Sequence, residues 1–203
     1  MGGDLSPERL LTAYRMGIFP WFNEGEPVDW WSPDPRMVLI PTELKVSKSM
    51  RPYLNQQKFR ATFDQAFETV VRQCQEPREK QWNGTWITPE MLEAYCQMHE
   101  MGFAHSVEVW EGERLVGGLY GISIGKCFFG ESMFSRASNA SKFGLISLAK
   151  KLEALGFWLI DCQQQTRHLG SLGAKAIARK DFLTILKKNE SEDSLIGHWD
   201  GLL

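Results

Sequence analysis

Three polar residues follow apolar runs of the chain: Glu131, Asp161 and Gln163. Polar groups at the ends of buried strands line a cleft beside a sheet, where their pKa values can be tuned for a reaction. Two carboxylates and an amide can orient and deprotonate an amine, and general-base help of this kind contributes about 10²–10⁴ in rate. Positioning two bound substrates contributes effective molarities of about 10⁵–10⁸ M. The set therefore suits acyl transfer from an activated ester to an amine.

A purely structural interpretation of these residues has equal weight from the sequence alone. Asp161 could simply cap the next helix, and Glu131 could pair with Lys142 or Arg136. The carboxylates could also hold a cationic group, because structural ion pairs use the same residue types as active sites.

Other catalytic sets lack support in the sequence. Ser132 has no glycine two residues further on, as a nucleophile elbow requires. Cys162 directly follows an acid, which disfavours the thiolate. The chain has no Walker A or dinucleotide-binding glycine pattern. Both Ser132 and Cys162 are therefore interpreted as structural.

The cysteines predict a reducing compartment and no metal. They form no C-x-x-C pair, and no histidine lies at zinc-ligand spacing from them. No apolar run approaches the ~20 residues of a membrane span, and no signal peptide is visible. We expect a cytoplasmic monomer without metal, cofactor or membrane. The four cysteines are Cys74, Cys96, Cys127 and Cys162.

Charge is distributed unevenly along the 203 residues. The net charge is −2, yet residues 126–180 hold nine Lys/Arg and three Asp/Glu. A basic half permits a polyanionic partner, although charge alone favours an ordinary solvated helix face. The hydrophobic fraction of 43% is typical of a globular protein with a core.

Several helices are predicted among the elements that position Glu131, Asp161 and Gln163. Ser6-Pro7-Glu8 starts a helix that Gly17 ends, and Thr88-Pro89-Glu90 starts another. Asp64 is predicted to cap a helix, and a further helix follows Asn139. A last helix begins near residue 180. The helix after Asp64 has Phe67, Val70, Val71 and Cys74 at helical spacing.

Strand signals follow the helix that starts at Thr88. The spacing of apolar residues changes from the helical period to alternation, which predicts an antiparallel meander. A short strand then precedes Asp161. Strands in series followed by helix–strand–helix predict an α+β or mixed α/β fold. A weak boundary divides a small N-terminal α/β domain, residues 1–58, from a larger domain, residues 59–203. The meander strands are residues 105–110, 115–124 and 126–129.

Apolar residues around the acids have two interpretations. Most form core, but some could line a pocket for an apolar side chain, where burial contributes roughly 1.5–3 kcal/mol. Such a pocket discriminates poorly between groups that differ by one methylene. These residues are Leu119, Phe128, Met133, Leu145, Leu148 and Ile160.

The motifs resemble those of bacterial leucyl/phenylalanyl-tRNA–protein transferases, in the right order and over nearly the whole chain. Members usually carry a further segment before the Gly2-Gly3-Asp4 turn. The motifs are Ala13-Tyr14-Arg15-Met16-Gly17-Ile18-Phe19-Pro20-Trp21-Phe22, Trp30-Trp31-Ser32-Pro33-Asp34-Pro35-Arg36, Gly84-Thr85-Trp86-Ile87-Thr88, Gly130-Glu131-Ser132-Met133-Phe134-Ser135, Asn139-Ala140-Ser141-Lys142, Leu159-Ile160-Asp161-Cys162-Gln163 and Ser171-Leu172-Gly173-Ala174.

The resemblance implies an aminoacyltransferase that moves Leu, Phe or Met from a charged tRNA to the N-terminal Arg or Lys of a protein. The product is marked for N-terminal-residue-dependent proteolysis. It implies an acetyltransferase-like (GNAT-like) C-terminal domain with a smaller N-terminal domain packed on it. Basic residues would contact the phosphates of the tRNA acceptor stem.

Residue roles also follow from the resemblance. Asp161 would polarise Gln163, which draws a proton from the attacking amine, and Glu131 would share their cleft. Tyr14, Trp21 and Trp86 would hold the terminal adenosine of the tRNA, and base–aromatic stacking is worth roughly 1–3 kcal/mol per base. The aminoacyl side-chain pocket would be Leu119, Phe128, Met133, Ser135, Leu145, Leu148 and Ile160.

Two alternatives remain from the sequence. An acyl-CoA-dependent N-acetyltransferase on the same fold needs a glycine-rich pyrophosphate loop before a helix, and the nearest string, residues 167–172, ends in leucine. A non-enzymatic module could use the tryptophans in loops to bind RNA or peptide. It would bind without turnover.

Overall fold

The computed structural model describes residues 2–56, 58–76 and 87–201. The strands in these residues are β1 (Phe19–Pro20), β2 (Trp30–Trp31), β3 (Arg36–Leu39), β4 (Arg60–Phe63), β5 (Ala104–Glu111), β6 (Arg114–Ile124), β7 (Cys127–Ser135), β8 (Leu159–Gln163) and β9 (Lys175–Ile177). The α-helices are α1 (Pro7–Arg15), α2 (Arg51–Asn55), α3 (Phe67–Gln75), α4 (Pro89–Glu100), α5 (Ala140–Ala154), α6 (Arg167–Ser171) and α7 (Arg179–Asn189).

A seven-stranded sheet forms the centre, in the order β4-β5-β6-β7-β8-β3-β9. Strands β4 to β7 are antiparallel neighbours, as expected when short turns join consecutive strands. Strand β8 runs parallel to β7, and α5 makes the crossover between them. Strand β3 lies between β8 and β9, antiparallel to both. A separate pair, β1 and β2, forms a two-stranded sheet.

Strands β7 and β8 are paired over three residues and then diverge. Their pairing ends at Phe129 with Asp161. Beyond that point β7 continues beside β6, and β8 continues beside β3. Each strand also has a register shift there, which leaves Glu131 and Cys162 unpaired across the ladder. Such bulges bend a strand and increase its twist, so the two strands form a fork.

Gly121 explains where the bulge in β7 lies. It pairs with Gly130 on the side of the fork. A Cβ at Gly121 would collide with the carbonyl oxygen of Phe129 and the ring of Phe128. Only glycine therefore lets β6 approach β7 at this point, directly before the unpaired Glu131.

Each face of the sheet is covered by its own apolar cluster. One cluster includes Tyr14 of α1, Val70 of α3, Tyr95 of α4 and Phe182 of α7. The other cluster is built on α5 and includes Leu145, Leu148 and Leu152, together with Trp199 near the end of the chain. The sheet is thus buried on both sides, which explains the long apolar runs in β6 and β7.

The structure confirms the predicted mixed α/β class and the antiparallel meander. One difference concerns β7, which continues to Ser135 instead of ending at Phe129, so Glu131 lies inside a strand and not at its end. The bulge at Glu131 interrupts the alternation on which the sequence prediction rested. Among the described residues, no helix has the length and apolar character needed to cross a membrane.

The prediction that Asp64 caps α3 is wrong. The residue before the first turn of α3 is Ala66, without a side-chain cap. Asp64 has a left-handed backbone, with φ of 58°, and its carboxylate accepts hydrogen bonds from Ser106 and His105. Aspartate tolerates this conformation better than most residues, so the same residue type that predicts a cap here forms a turn.

The predicted division at residue 58 stays a prediction. Within residues 1–58, β1 and β2 form the small sheet, whereas β3 belongs to the central sheet.

Candidate active site

Glu131 and Gln163 meet across the fork. The Nε2 of Gln163 donates a hydrogen bond to Oε1 of Glu131 at 3.0 Å. Glu131 projects from the bulge of β7, and Gln163 is the last residue of β8. The divergence of the two strands therefore leaves room for a side-chain contact where a sheet would otherwise have a backbone ladder.

Glu131 is held from the other side by two tyrosines. The hydroxyl of Tyr95 donates to Oε2 of Glu131 at 2.7 Å, and the hydroxyl of Tyr14 lies 2.7 Å from that of Tyr95. Burial raises the pKa of both tyrosines well above 10, so both hydroxyls keep their protons. Each hydroxyl both donates and accepts, so the chain of hydrogen bonds can adapt to either charge state of Glu131.

The carboxyl group of Glu131 titrates near neutrality. Burial raises the pKa of Glu131 to about 7, and the hydrogen bond from Tyr95, with Tyr14 behind it, lowers this pKa only in part. The side chain is almost entirely covered, at 9% exposure. A carboxyl with this pKa can accept or release a proton under ordinary conditions, which is what a general base requires.

Asp161 is engaged by a partner that the sequence did not predict. Arg36 donates from Nε and Nη2 to the two carboxylate oxygens, and its Nη1 donates to the carbonyl of Gly17. The rings of Phe19 and Phe182 lie 4.9 and 4.6 Å from the guanidinium carbon. Arg36 and Asp161 are completely buried. The pair anchors β3 to β8 beneath the fork.

Asp161 reaches Gln163 through the backbone. Oδ1 of Asp161 accepts the N–H of Gln163 at 2.9 Å, and Gln163 has a left-handed φ of 59°. The carboxylate thereby holds the strained turn that aims the Gln163 amide at Glu131. The predicted polarisation of the Gln163 side chain by Asp161 is not the contact seen here, because that amide bonds to Glu131.

Asp161 does hold a cationic group, the guanidinium of Arg36, whereas the other structural interpretations of the two acids differ from what is found. Arg136 pairs with Glu76 instead of Glu131. Asp161 caps no helix, since both of its oxygens are taken by Arg36 and by the backbone of Gln163.

The residues predicted for the adenosine lie in different settings. Tyr14 is completely buried in the hydrogen-bonded chain to Glu131. Trp21 is half-buried, and its ring lies 5.3 Å from that of the exposed Trp31. The indole N–H of Trp31 donates to the Trp21 carbonyl, which fixes the pair. Trp86 lies outside the described residues.

The predicted aminoacyl pocket lies on the α5 side of the sheet, next to the fork. Five of its residues are buried in the cluster around α5: Leu119, Phe128, Leu145, Leu148 and Ile160. Met133 is partly buried against that cluster, and Ser135 is exposed at the end of β7. Ile160 and Asp161 are neighbours on β8 and face opposite sides. The fork is the place where the polar set and this apolar set adjoin.

Arg36 and Tyr95 are the members of the site that sequence reasoning missed. Arg36 ends the proline-rich string that begins at Trp30, but nothing local reveals a partner 125 residues away. Tyr95 lies on the apolar face of α4, where a tyrosine is usually core.

Comparison with known proteins gives consistent matches over most of the chain. The family described as leucyl/phenylalanyl-tRNA protein transferase matches residues 38–187, and the N-terminal domain of that family matches residues 3–34. A transferase so named from Ectopseudomonas mendocina is 59% identical over 93% of this chain and 83% of its own length. One from Christiangramia forsetii is 62% identical over 90% of this chain and 87% of its own.

A solved structure, a GCN5-related N-acetyltransferase from Kribbella flavida, aligns with a TM-score of 0.41 and 11% identity, over 80% of this chain and 57% of that one. The sequence matches are far stronger, and the matched range of the family includes Glu131 and Asp161. The chain belongs to the leucyl/phenylalanyl-tRNA–protein transferase family.

Proposed function

We propose that this protein is an aminoacyltransferase that moves Leu, Phe or Met from aminoacyl-tRNA to the N-terminal Arg or Lys of acceptor proteins. The transfer would mark those proteins for proteolysis. The observation that carries the proposal is the Glu131–Gln163 contact at the fork of a chain that belongs to this family. An amide and a carboxyl with a pKa near 7 are the groups that such a transfer needs.

The reaction needs no activation beyond the ester of the aminoacyl-tRNA. The α-amine of the acceptor attacks the ester carbonyl, a C–N bond forms, and the C–O bond to the ribose breaks. One proton leaves the amine, and the ribose oxygen gains one. Most of the rate enhancement then comes from positioning, with proton transfer as a smaller contribution.

We assign the proton-accepting role to Glu131 and the orienting role to Gln163. Since Nε2 of Gln163 donates to Glu131, the acceptor end of the amide, Oε1, is left to receive an N–H of the attacking amine. The amine then lies beside a carboxylate that titrates near neutrality. Asp161 serves as a positioning residue, because Arg36 and the Gln163 backbone occupy its oxygens.

The donor's terminal adenosine is proposed to stack on Trp21 and Trp86. The exposed Trp31 packs against Trp21 and supports that ring. Stacking on such a loop-borne ring is worth roughly 1–3 kcal/mol per base. Tyr14 is proposed to act indirectly, through Tyr95 and Glu131. Basic residues between 126 and 180 would contact acceptor-stem phosphates.

The donor's side chain is proposed to enter the apolar set through the fork. Ile160 and Phe128 come from the two diverging strands, and Leu145 and Leu148 come from α5. These residues are well packed, so the donor's side chain would be admitted by rotation of the partly buried Met133. Methionine is flexible and fills irregular gaps, which suits a pocket that accepts both leucine and phenylalanine.

The test is transfer of labelled leucine from Leu-tRNA to a peptide with an N-terminal arginine. Gln163→Gly removes the amide while glycine keeps the left-handed backbone. We expect the wild type to transfer leucine and Gln163→Gly and Glu131→Gln to be at least about 100-fold slower. The matched control is Gln164→Gly, at the exposed next residue, with unchanged transfer.

The alternative acyl-CoA-dependent acetyltransferase is disfavoured. The string nearest to a pyrophosphate loop forms the short helix α6, Arg167–Ser171, instead of a glycine-rich turn. A folded wild type that transfers no leucine, yet gains thermal stability with acetyl-CoA, would overturn the proposed function. Tight binding of RNA without turnover would indicate the binding module.

A further inference from the structure

Three potential metal ligands converge at the end of α4, one helical turn beyond Tyr95. Asp64 follows β4, His99 lies in the last turn of α4, and His198 lies near the end of the chain. Each offers one ligand atom, and these atoms all lie within 4.8 Å of one another. Separations of 35 and 99 residues explain why no short spacing motif reveals the group.

The carboxylate of Asp64 is oriented by groups outside the cluster. Oδ1 accepts the backbone N–H of Ser106 at 2.8 Å. Oδ2 accepts Nδ1–H of His105 at 2.8 Å and the backbone N–H of Trp199 at 2.7 Å. Burial opposes ionisation, but these hydrogen bonds, led by His105, hold the pKa of Asp64 below its ordinary value. Metal-binding carboxylates are commonly fixed by hydrogen bonds of this kind.

The tautomer of His99 is also fixed. Its Nδ1 lies 2.7 Å from the carbonyl oxygen of Ala104. A carbonyl oxygen only accepts, so Nδ1 carries the hydrogen and Nε2 of the neutral ring carries the lone pair. The ring stacks on Phe67 with a centroid separation of 4.2 Å and an angle of 4°. A backbone carbonyl on one nitrogen is the usual support of a histidine that binds a metal through the other.

His198 completes the group from the solvent side. Its exposed ring lies 4.7 Å from the ring of His99, at 80°. Ligands of a tetrahedral zinc ion, at about 2.0–2.2 Å from the metal, lie about 3.3 Å apart. Rotation of the exposed His198 side chain would provide this shorter spacing, because Asp64 and His99 are already held.

We propose that Asp64, His99 and His198 bind a divalent transition-metal ion, of which zinc is the best match. Two imidazoles and one carboxylate suit zinc and exclude magnesium and calcium, which prefer oxygen ligands. The bound ion would tie the segment around Trp199 to β4 and α4. None of the three ligands belongs to the polar set at the fork, and the test measures metal binding, so its outcome does not depend on the proposed function.

The test uses the full chain, stripped with a chelator and titrated with zinc chloride in a calorimeter. We expect one zinc ion per chain and an increase in the melting temperature of a few degrees at saturating zinc. His198→Gln alters an exposed side chain, so it should fold normally, and it should bind zinc at least 10-fold more weakly. Asp200→Asn changes the same exposed segment without removing a ligand and should bind as the wild type does.

Cobalt distinguishes this site from thiol binding. Cobalt bound to two imidazoles and a carboxylate absorbs weakly in the visible range, without the intense sulfur-to-metal band of a cysteine site. A wild type that binds no zinc at 100-fold excess over protein would overturn the proposal. So would binding that His198→Gln leaves unchanged, or a cobalt spectrum with the sulfur band.

Discussion

Arg36 and Asp161 form a two-pronged ion pair, with Nε 2.8 Å from Oδ1 and Nη2 2.7 Å from Oδ2, and both side chains are completely buried. The guanidinium also lies between the rings of Phe19 and Phe182. A buried pair of this kind is costly to break, because removal of one partner leaves the other as an unpaired charge. Its value to this protein is geometric: it fixes the strand from which Gln163 projects.

Arg36→Met is therefore expected to destabilise the protein strongly. A single removal from a buried pair costs about 3–5 kcal/mol. The double variant Arg36→Met with Asp161→Leu removes both charges and should regain much of that stability. Urea unfolding of both variants measures the difference. A single variant that loses less than about 1 kcal/mol would contradict the assigned role of the pair.

Stability should depend on pH through Glu131. The carboxyl has an ordinary pKa of 4.5 in the unfolded chain and about 7 in the folded protein. The folded state thus holds an extra proton between these values, and stability falls as pH rises from 4.5 through 7. The total loss is ~3 kcal/mol. Glu131→Gln cannot titrate, so the wild type should lose stability relative to this variant between pH 4.5 and 8 in denaturant titrations.

Tyr95→Phe should move the pH dependence of transfer upwards. The hydrogen bond from Tyr95 lowers the pKa of Glu131, so its removal raises that pKa further. If the ionised carboxyl accepts the proton, transfer by the wild type increases through about pH 7. The variant should reach its half-maximal rate at a higher pH. The measurement is the single-turnover rate as a function of pH. If the pH of half-maximal rate were the same in the variant and the wild type, Tyr95 would not influence the group that controls transfer.

Two substitutions of Gln163 distinguish the effect of backbone strain from the effect of losing the side-chain amide. Gln163→Val adds a β-branched side chain at φ of 59° and should cost about 1–2 kcal/mol beyond the loss of the amide. Gln163→Gly loses the same amide without that strain. Thermal melts should rank Gly above Val, while both variants transfer leucine slowly. Equal melting temperatures would show that the left-handed turn relaxes when the side chain changes.

Trp21→Ala should weaken tRNA binding. One lost stacking contact costs roughly 1–3 kcal/mol, which corresponds to about 5- to 150-fold in affinity. Equilibrium binding of Leu-tRNA at fixed salt measures it. The matched variant Trp31→Ala removes the supporting ring, which lies 5.3 Å away, and should have a smaller effect. If Trp31→Ala weakened binding more than Trp21→Ala, the ring that stacks on the adenosine would be Trp31.

Much of the fold could be predicted because its signals are local. The meander, the helix after Asn139 and the last helix all follow from hydrophobic period and turn residues. The sequence places Glu131 after a strand and the structure places it inside one, because a bulge has no reliable sequence signal. The sequence also cannot show whether Asp64 caps a helix or forms a turn, because aspartate favours helix caps and left-handed turns alike.

The candidate site was predictable in its polar residues but not in its connections. Glu131, Asp161 and Gln163 were identifiable as polar groups that follow apolar runs. The partners Arg36 and Tyr95 come from distant elements, and only the tertiary structure brings them together. The sequence also could not reveal that Gln163 reaches Glu131 by its side chain and Asp161 by its backbone.

The insertion of β3 between β8 and β9 has a consequence for the order in which the protein matures. Arg36 leaves the ribosome 125 residues ahead of Asp161, and β3 gains its neighbours only after they are synthesised. Contacts between residues so far apart close a large loop, which slows folding. A nascent chain that lacks β8 has neither the ion pair nor Gln163. The contacts that join Arg36, Asp161 and Gln163 therefore form only after β8 has been synthesised.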